Sequence, residues 1–118
     1  MTDHRPSHAV LDELWPQHRA LRQQIPEAYQ DFDNLSSSVM SDGALSVKDK
    51  ELIALAIGIV QGCDGCIAAN AKGAVRAGAT AAEAAEAISV AIMMHGGPAT
   101  VHGARGYAAF CEFEAALR

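Results

Sequence analysis

The stretch SVKDKELIALAIGIVQGCDGCIAANAKGAVR, residues 46–76, decides the fold. In its first half Leu52, Ile53, Leu55, Ala56, Ile57, Ile59 and Val60 cover nearly the whole circumference of a helix, behind first turns holding Lys48, Asp49, Lys50 and Glu51. A helix apolar all round is a central one. A strand competes for so short an apolar run, but the polar prelude and the length of the segment favour helix. Ser46 is placed as its N-cap, with Asp49 three residues on and Leu45 just before. Gly58 lowers helix propensity and leaves room for a neighbouring helix to come close. Gly62 ends this helix. The alanine-rich run Cys63 to Ala77 reads as the next, with Arg76 in its last turn and Gly78 as its stop. Two thiols, Cys63 and Cys66, therefore sit at the joint between two helices.

Outward from this hairpin the chain keeps to helical signals. Thr80-Ala81-Ala82-Glu83 is a capping box by spacing. It opens a helix to about Met94 with Ala84, Ala87, Ile88, Ala91 and Ile92 inward. Gly96-Gly97-Pro98 punctuates, and Pro98 opens a last helix carrying Val101, Ala104, Ala108, Phe110 and Leu117. Upstream, Val10, Leu11, Leu14, Leu21 and Ile25 form one helical stripe, which Pro16 is expected to divide. Pro26 opens a further helix faced by Tyr29, Phe32, Leu35, Val39 and Met40. Ser36-Ser37-Ser38 lies at its end or on its wet face, and Ser41-Asp42-Gly43-Ala44 is a break. Met1 to Ala9 reads as a loose arm with His4 and His8 in solvent. The sum is an all-α domain of about six helices spanning residues 1–118.

Half the residues are apolar, many of them alanine, and only 5% are aromatic. That composition suits closely packed helices, with part of the apolar surface between subunits. A net charge of -5 and the lack of a Lys/Arg cluster argue against nucleic acid. The first residues lack the basic start and apolar core of a signal peptide, and Ile53 to Val60 is too short to span a bilayer. The expectation is a soluble cytoplasmic protein without a membrane partner. In a reducing compartment a close cysteine pair is catalytic, redox-sensing or metal-binding rather than a structural staple.

At a helix start both sulfurs meet free N–H groups and the positive end of the dipole, which stabilise a thiolate. The spacing also allows a disulfide within the first turn. Asp64 opposes the thiolate slightly by like charge, and Gly65 removes a side chain from the entrance. A metal centre needs further ligands; Cys63, Cys66, His95 and His102 are the formal set, because Cys111 stands alone in the last helix. The redox reading is favoured, with no metal and no cofactor. Glu51 is the candidate base. In a simple hairpin it lies twelve residues, about 18 Å, from the Cys63 end and faces the far end of the second helix.

Leu45 to Phe110 resembles the AhpD-like, or carboxymuconolactone decarboxylase, family. The resemblance is carried by Lys50-Glu51-Leu52-Ile53-Ala54-Leu55-Ala56 and by Gly62-Cys63-Asp64-Gly65-Cys66-Ile67-Ala68-Ala69. Lys72, Ala77-Gly78-Ala79-Thr80, Glu83 and Gly96-Gly97-Pro98-Ala99 continue it. It implies a helical bundle that assembles as a trimer or hexamer, and alkylhydroperoxidase chemistry in members with the cysteine pair. Cys66 would attack a hydroperoxide, and Cys63 would resolve the sulfenic acid. A dithiol such as a lipoyl-bearing protein would then reduce the disulfide. It also implies a proton relay through Glu51, with the helices paired otherwise than in the simple hairpin. The sequence departs from the family where the relay places a histidine, four residues after Cys66; Asn70 stands there. An amide positions water but is no base near neutral pH. His95, at the end of a neighbouring helix, is the substitute. His102 and Arg105, three apart on one helix face, suit a substrate carboxylate or a subunit contact. The decarboxylase branch of the family does not depend on the cysteine pair. The remaining alternative is a helical oligomer whose disulfide senses redox state.

Overall fold

Six helices make up residues 5–117, the part that the computed structural model describes. They are α1 (Pro6–Gln24), α2 (Pro26–Val39), α3 (Val47–Gln61), α4 (Asp64–Arg76), α5 (Ala81–His95) and α6 (Gly97–Ala116). There is no strand among the described residues. None of these helices is long and apolar enough to cross a membrane.

The caps form as the sequence implies. Ser46 accepts the Asp49 amide at 3.1 Å. At α5 both bonds of the capping box close, from the Glu83 amide to Thr80 and from the Thr80 amide to the Glu83 carboxylate. Lys48 Nζ reaches Glu83 Oε2 at 2.8 Å and so ties the first turns of α3 and α5 together. These two helices therefore run parallel, and α5 ends at the same end of the bundle as α3.

The core lies between α3, α4, α5 and α6. Leu55, Ile59 and Phe110 are its largest fully buried side chains, with Ile67, Ala71, Ala74, Ala84, Ile88 and Ala109 around them. Alanines bring the helix axes close. Gly106 completes this on α6, where an added Cβ would stand 2.8 Å from Ile59 Cδ1.

Two segments differ from the sequence reading. Pro16 does not divide the first helix; α1 runs through it. Pro16 and Asp12, whose carbonyl loses its helical donor, are both exposed, where solvent can take the place of the lost hydrogen bond. The expected loose arm is helical from Pro6 onward, and His8 is docked rather than solvated. Its imidazole bonds Glu112 and its ring lies 4.4 Å from that of Phe113. Glu112 also accepts the amides of Ser7 at 3.0 Å and His8 at 2.7 Å, acting as a distant N-cap for α1. Burial works against the charged form of Glu112, but those two amides and His8 outweigh it and hold the carboxyl below the usual range. His4 lies outside the described residues.

Neither α1 nor α2 contributes a buried residue. α2 rests chiefly on α1, and Lys50 bonds its end through the carbonyls of Val39 at 2.9 Å and Ser41 at 2.7 Å. The three consecutive serines ride on α2. The all-round apolar α3 is not enclosed by the described residues either: Ile53 and Ile57 are about half exposed, at 48% and 52%.

Candidate active site

The site is built at the turn between α3 and α4. Gly62 has φ +65°, a left-handed conformation that favours glycine. It lets the Gly62 amide reach Ile59 O and the Cys63 amide reach Gly58 O, both at 3.1 Å, in a Schellman closure of α3. One residue later Cys63 is already the N-cap of α4, and its Sγ accepts the Cys66 amide at 3.2 Å. Cys63 and Cys66 are joined as a disulfide with Cα atoms 5.2 Å apart. Both are partly exposed, and both sit at the positive end of α4, where a released thiolate is stabilised.

Two glycines fix the register of this hairpin. A Cβ on Gly58 would stand 3.2 Å from Cys66 Cβ, and one on Gly73 would fall on the Glu51 carboxylate. Gly58 therefore packs on Cys66, and Glu51 on Gly73. Each pair member is seven residues from the next along its own helix, in opposite directions. The hairpin is a plain antiparallel one, and the other pairing implied by the family resemblance is not what is observed. Glu51 faces the latter half of α4, two turns or about 10 Å from Cys66. Asn70 lies between them in sequence, four residues after Cys66 and three before Gly73, which places it on the same stripe of α4. The geometry thus aligns Cys66, Asn70 and Glu51 without direct contact between the thiol and the acid.

Glu51 is partly buried. Its Oε2 is sealed from solvent and has no hydrogen-bond partner among the described residues. That loss of hydration pushes its carboxyl above the usual range. An acid that holds its proton longer than an ordinary glutamate suits proton transfer near neutral pH.

His95 stands at the same end of the bundle as the cysteines but is exposed at the end of α5. His102 comes nearer: a Cβ on Gly62 would lie 3.0 Å from its Nε2. Among the described residues no three His, Cys, Asp or Glu side chains are grouped to hold a metal ion. The formal set Cys63, Cys66, His95 and His102 is not assembled.

The sequence reading missed the contribution of α1. A Cβ on Gly65 would stand 2.7 Å from Leu14 Cδ1. The entrance that Gly65 was expected to leave open is covered there by Leu14. The only signal was the glycine itself; nothing in the sequence names its partner fifty residues upstream. Beside this cover lies a cleft of about 220 Å³, lined by Pro6, Ser7, Val10, Gly62, Asp64, Ile67, Ala68, His102, Arg105 and Ala108. Gly62 and Asp64 are the two neighbours of Cys63.

Comparison with known proteins places this geometry. Residues 26–116 match the model of the carboxymuconolactone decarboxylase family, beginning well upstream of Leu45. An uncharacterised protein of Cupriavidus necator is 35% identical over 100 residues, covering 85% of this chain and 88% of its own. An uncharacterised protein of the cox locus of Paracoccus denitrificans is 43% identical over 85 residues, covering 72% and 77%. Among solved structures, an apo carboxymuconolactone decarboxylase family protein of Legionella pneumophila superposes with a TM-score of 0.90 at 33% identity, over 93% of this chain and 98% of that one. A Thermotoga maritima protein of the same family, for which a part in an antioxidative response has been suggested, gives 0.75 at 29% identity over 89% and 92%.

Proposed function

Because the chain belongs to the carboxymuconolactone decarboxylase family, we propose that it is a thiol-dependent hydroperoxide reductase working through Cys63 and Cys66. The observation that carries this reading is the cysteine pair itself, at disulfide distance across the first turn of α4. The thiolate of Cys66 attacks the O–O bond of a hydroperoxide. The alcohol leaves with a proton, and Cys66 becomes a sulfenic acid. Cys63 condenses with it, water departs and the disulfide forms. A dithiol reductant of the lipoyl type restores both thiols through a mixed disulfide and is itself oxidised. Glu51 supplies and takes up protons along the Asn70 stripe through water, since Asn70 is no base. His95, exposed and without a side-chain hydrogen bond among the described residues, is the lesser candidate for that part.

The direct test is hydroperoxide consumption with dihydrolipoamide as reductant. Sustained turnover, with alcohol and lipoamide formed in equal amounts, is expected. No turnover above buffer, with a Cys63–Cys66 disulfide that still opens and closes with redox potential, would replace the peroxidase by a redox sensor.

The working unit is a homo-oligomer. Phe32 is 66% exposed on α2, and Met93 and Met94 are 73% and 75% exposed on α5. With Leu35, Val39, Ile53 and Ile57 these make apolar faces too large to leave in water on a helical chain of this size. Phe32→Glu should move the protein to the monomer position in light scattering and leave its helical spectrum largely intact. A variant that keeps the wild-type mass would remove α2 from the subunit interface.

A further inference from the structure

The cleft beside Cys63 has a chemistry that peroxide reduction does not use. Its floor is apolar, from Val10, Ile67, Ala68 and Ala108, while His102 and Arg105 stand one helical turn apart on its α6 wall. Arg105 makes no ion pair among the described residues, unlike Arg22, which lies 3.6 Å from Asp33. Asp64, at the start of α4, is the one acid among the described residues of the lining and disfavours a second negative group on the Cys63 side. At about 220 Å³ the cleft is smaller than the ~300–1,000 Å³ of pockets for drug-sized ligands. It therefore takes a small molecule or the end of a chain. The residues on both sides of Cys63 line it, whereas Cys66 lies against Gly58 between the helices.

From this arrangement we infer that the cleft selects the reductant, and that the reductant is a small acidic dithiol: two thiols joined to a carboxylate by a short apolar chain. This rests on the redox role of the cysteine pair and specifies its substrate. The carboxylate pairs with Arg105 and takes a hydrogen bond from His102, the chain lies on the apolar floor, and the thiol end reaches Cys63. The incoming thiolate attacks Cys63 Sγ. The Cys63–Cys66 bond breaks, and Cys66 leaves as a thiolate and takes up a proton. A second thiol of the reductant then attacks its own sulfur in the mixed disulfide. Cys63 is released as a thiol, and the reductant departs as a disulfide, oxidised by two electrons.

The test uses the oxidised full-length protein and no peroxide, so its outcome is separate from that of the peroxidase assay. The rate at which dihydrolipoate opens the Cys63–Cys66 disulfide is compared with that of dihydrolipoamide, which shares its dithiol and chain and lacks only the carboxylate. The acid is expected to react about tenfold faster, in line with the loss of one charge-assisted hydrogen bond. In Arg105→Ala that preference should disappear through a slower rate with the acid alone, and Arg105→Lys should restore part of it. Higher salt should narrow the preference in the wild type. Equal rates in the wild type, or a preference that survives in Arg105→Ala, would overturn the assignment. A peroxidase assay that fails while the acid preference holds would leave it standing.

Discussion

Cys66→Ser should consume no hydroperoxide with any dithiol, whereas Cys63→Ser, given peroxide without reductant, should consume one equivalent and stop. The asymmetry follows from the order of bonds. Without Cys66 no sulfenic acid forms at the attacking position. Without Cys63 the sulfenic acid forms and loses the thiol that stands at disulfide distance from it. Mass spectrometry of Cys63→Ser after one equivalent of peroxide should show the gain of a single oxygen, trapped by a sulfenic-acid reagent. The roles are not settled by the helix alone. Cys63 is the N-cap and accepts the Cys66 amide, so the dipole favours a thiolate there. If Cys63→Ser is inert and Cys66→Ser takes up one equivalent, the attacking role passes to Cys63.

Glu51→Gln should lower turnover about a hundredfold, the scale of a lost general acid–base group, and at the same time make the folded protein more stable at alkaline pH. The two effects have one origin. Loss of hydration raises the Glu51 carboxyl in the folded chain. The folded state therefore holds this proton at pH values where the unfolded chain has released it. Its contribution to stability is complete below the ordinary carboxylate value of about 4.3 and is lost as pH rises through the folded value. Glutamine resembles the protonated form and has nothing to lose. Melting curves of the two proteins should converge near pH 4 and separate, with the variant higher, toward pH 8. A variant as slow as expected but no more stable at pH 8 would mean that the carboxylate is not desolvated, and the proton-transfer role would lose its physical basis.

The hairpin was legible because its signals are local. Ser46, Gly62 and the Thr80–Glu83 box each specify a helix end within four residues, and Gly58 announced a close neighbour. The position of Glu51 was legible too, from helix rise alone: an antiparallel pair carries it to the far half of α4, where Gly73 receives it. The family resemblance drew it toward the thiols, and the packing does not. What could not be read was contact at long range. The seat of His8 depends on Glu112, 104 residues away, and the cover on Gly65 depends on Leu14. No periodicity within α1 selects these partners over solvent. Pro16 was misread for a related reason. Whether a proline interrupts a helix depends on whether the freed carbonyl reaches water, and exposure is a property of the fold.

The division of the chain between four helices that share a buried core and two that contribute no fully buried residue bears on how it is made. α3 to α6 bury their core through contacts between helices close in sequence, a topology that closes quickly. α1 and α2 contribute no fully buried residue; Val10 and Leu11 of α1 lie partly buried against that core. On the proposed homo-oligomeric assembly, newly made chains would reach a helical, half-finished state as individuals and complete it on meeting one another. The midpoint of thermal unfolding should then rise with protein concentration, and refolding should show a fast phase indifferent to concentration followed by a slower one that is not.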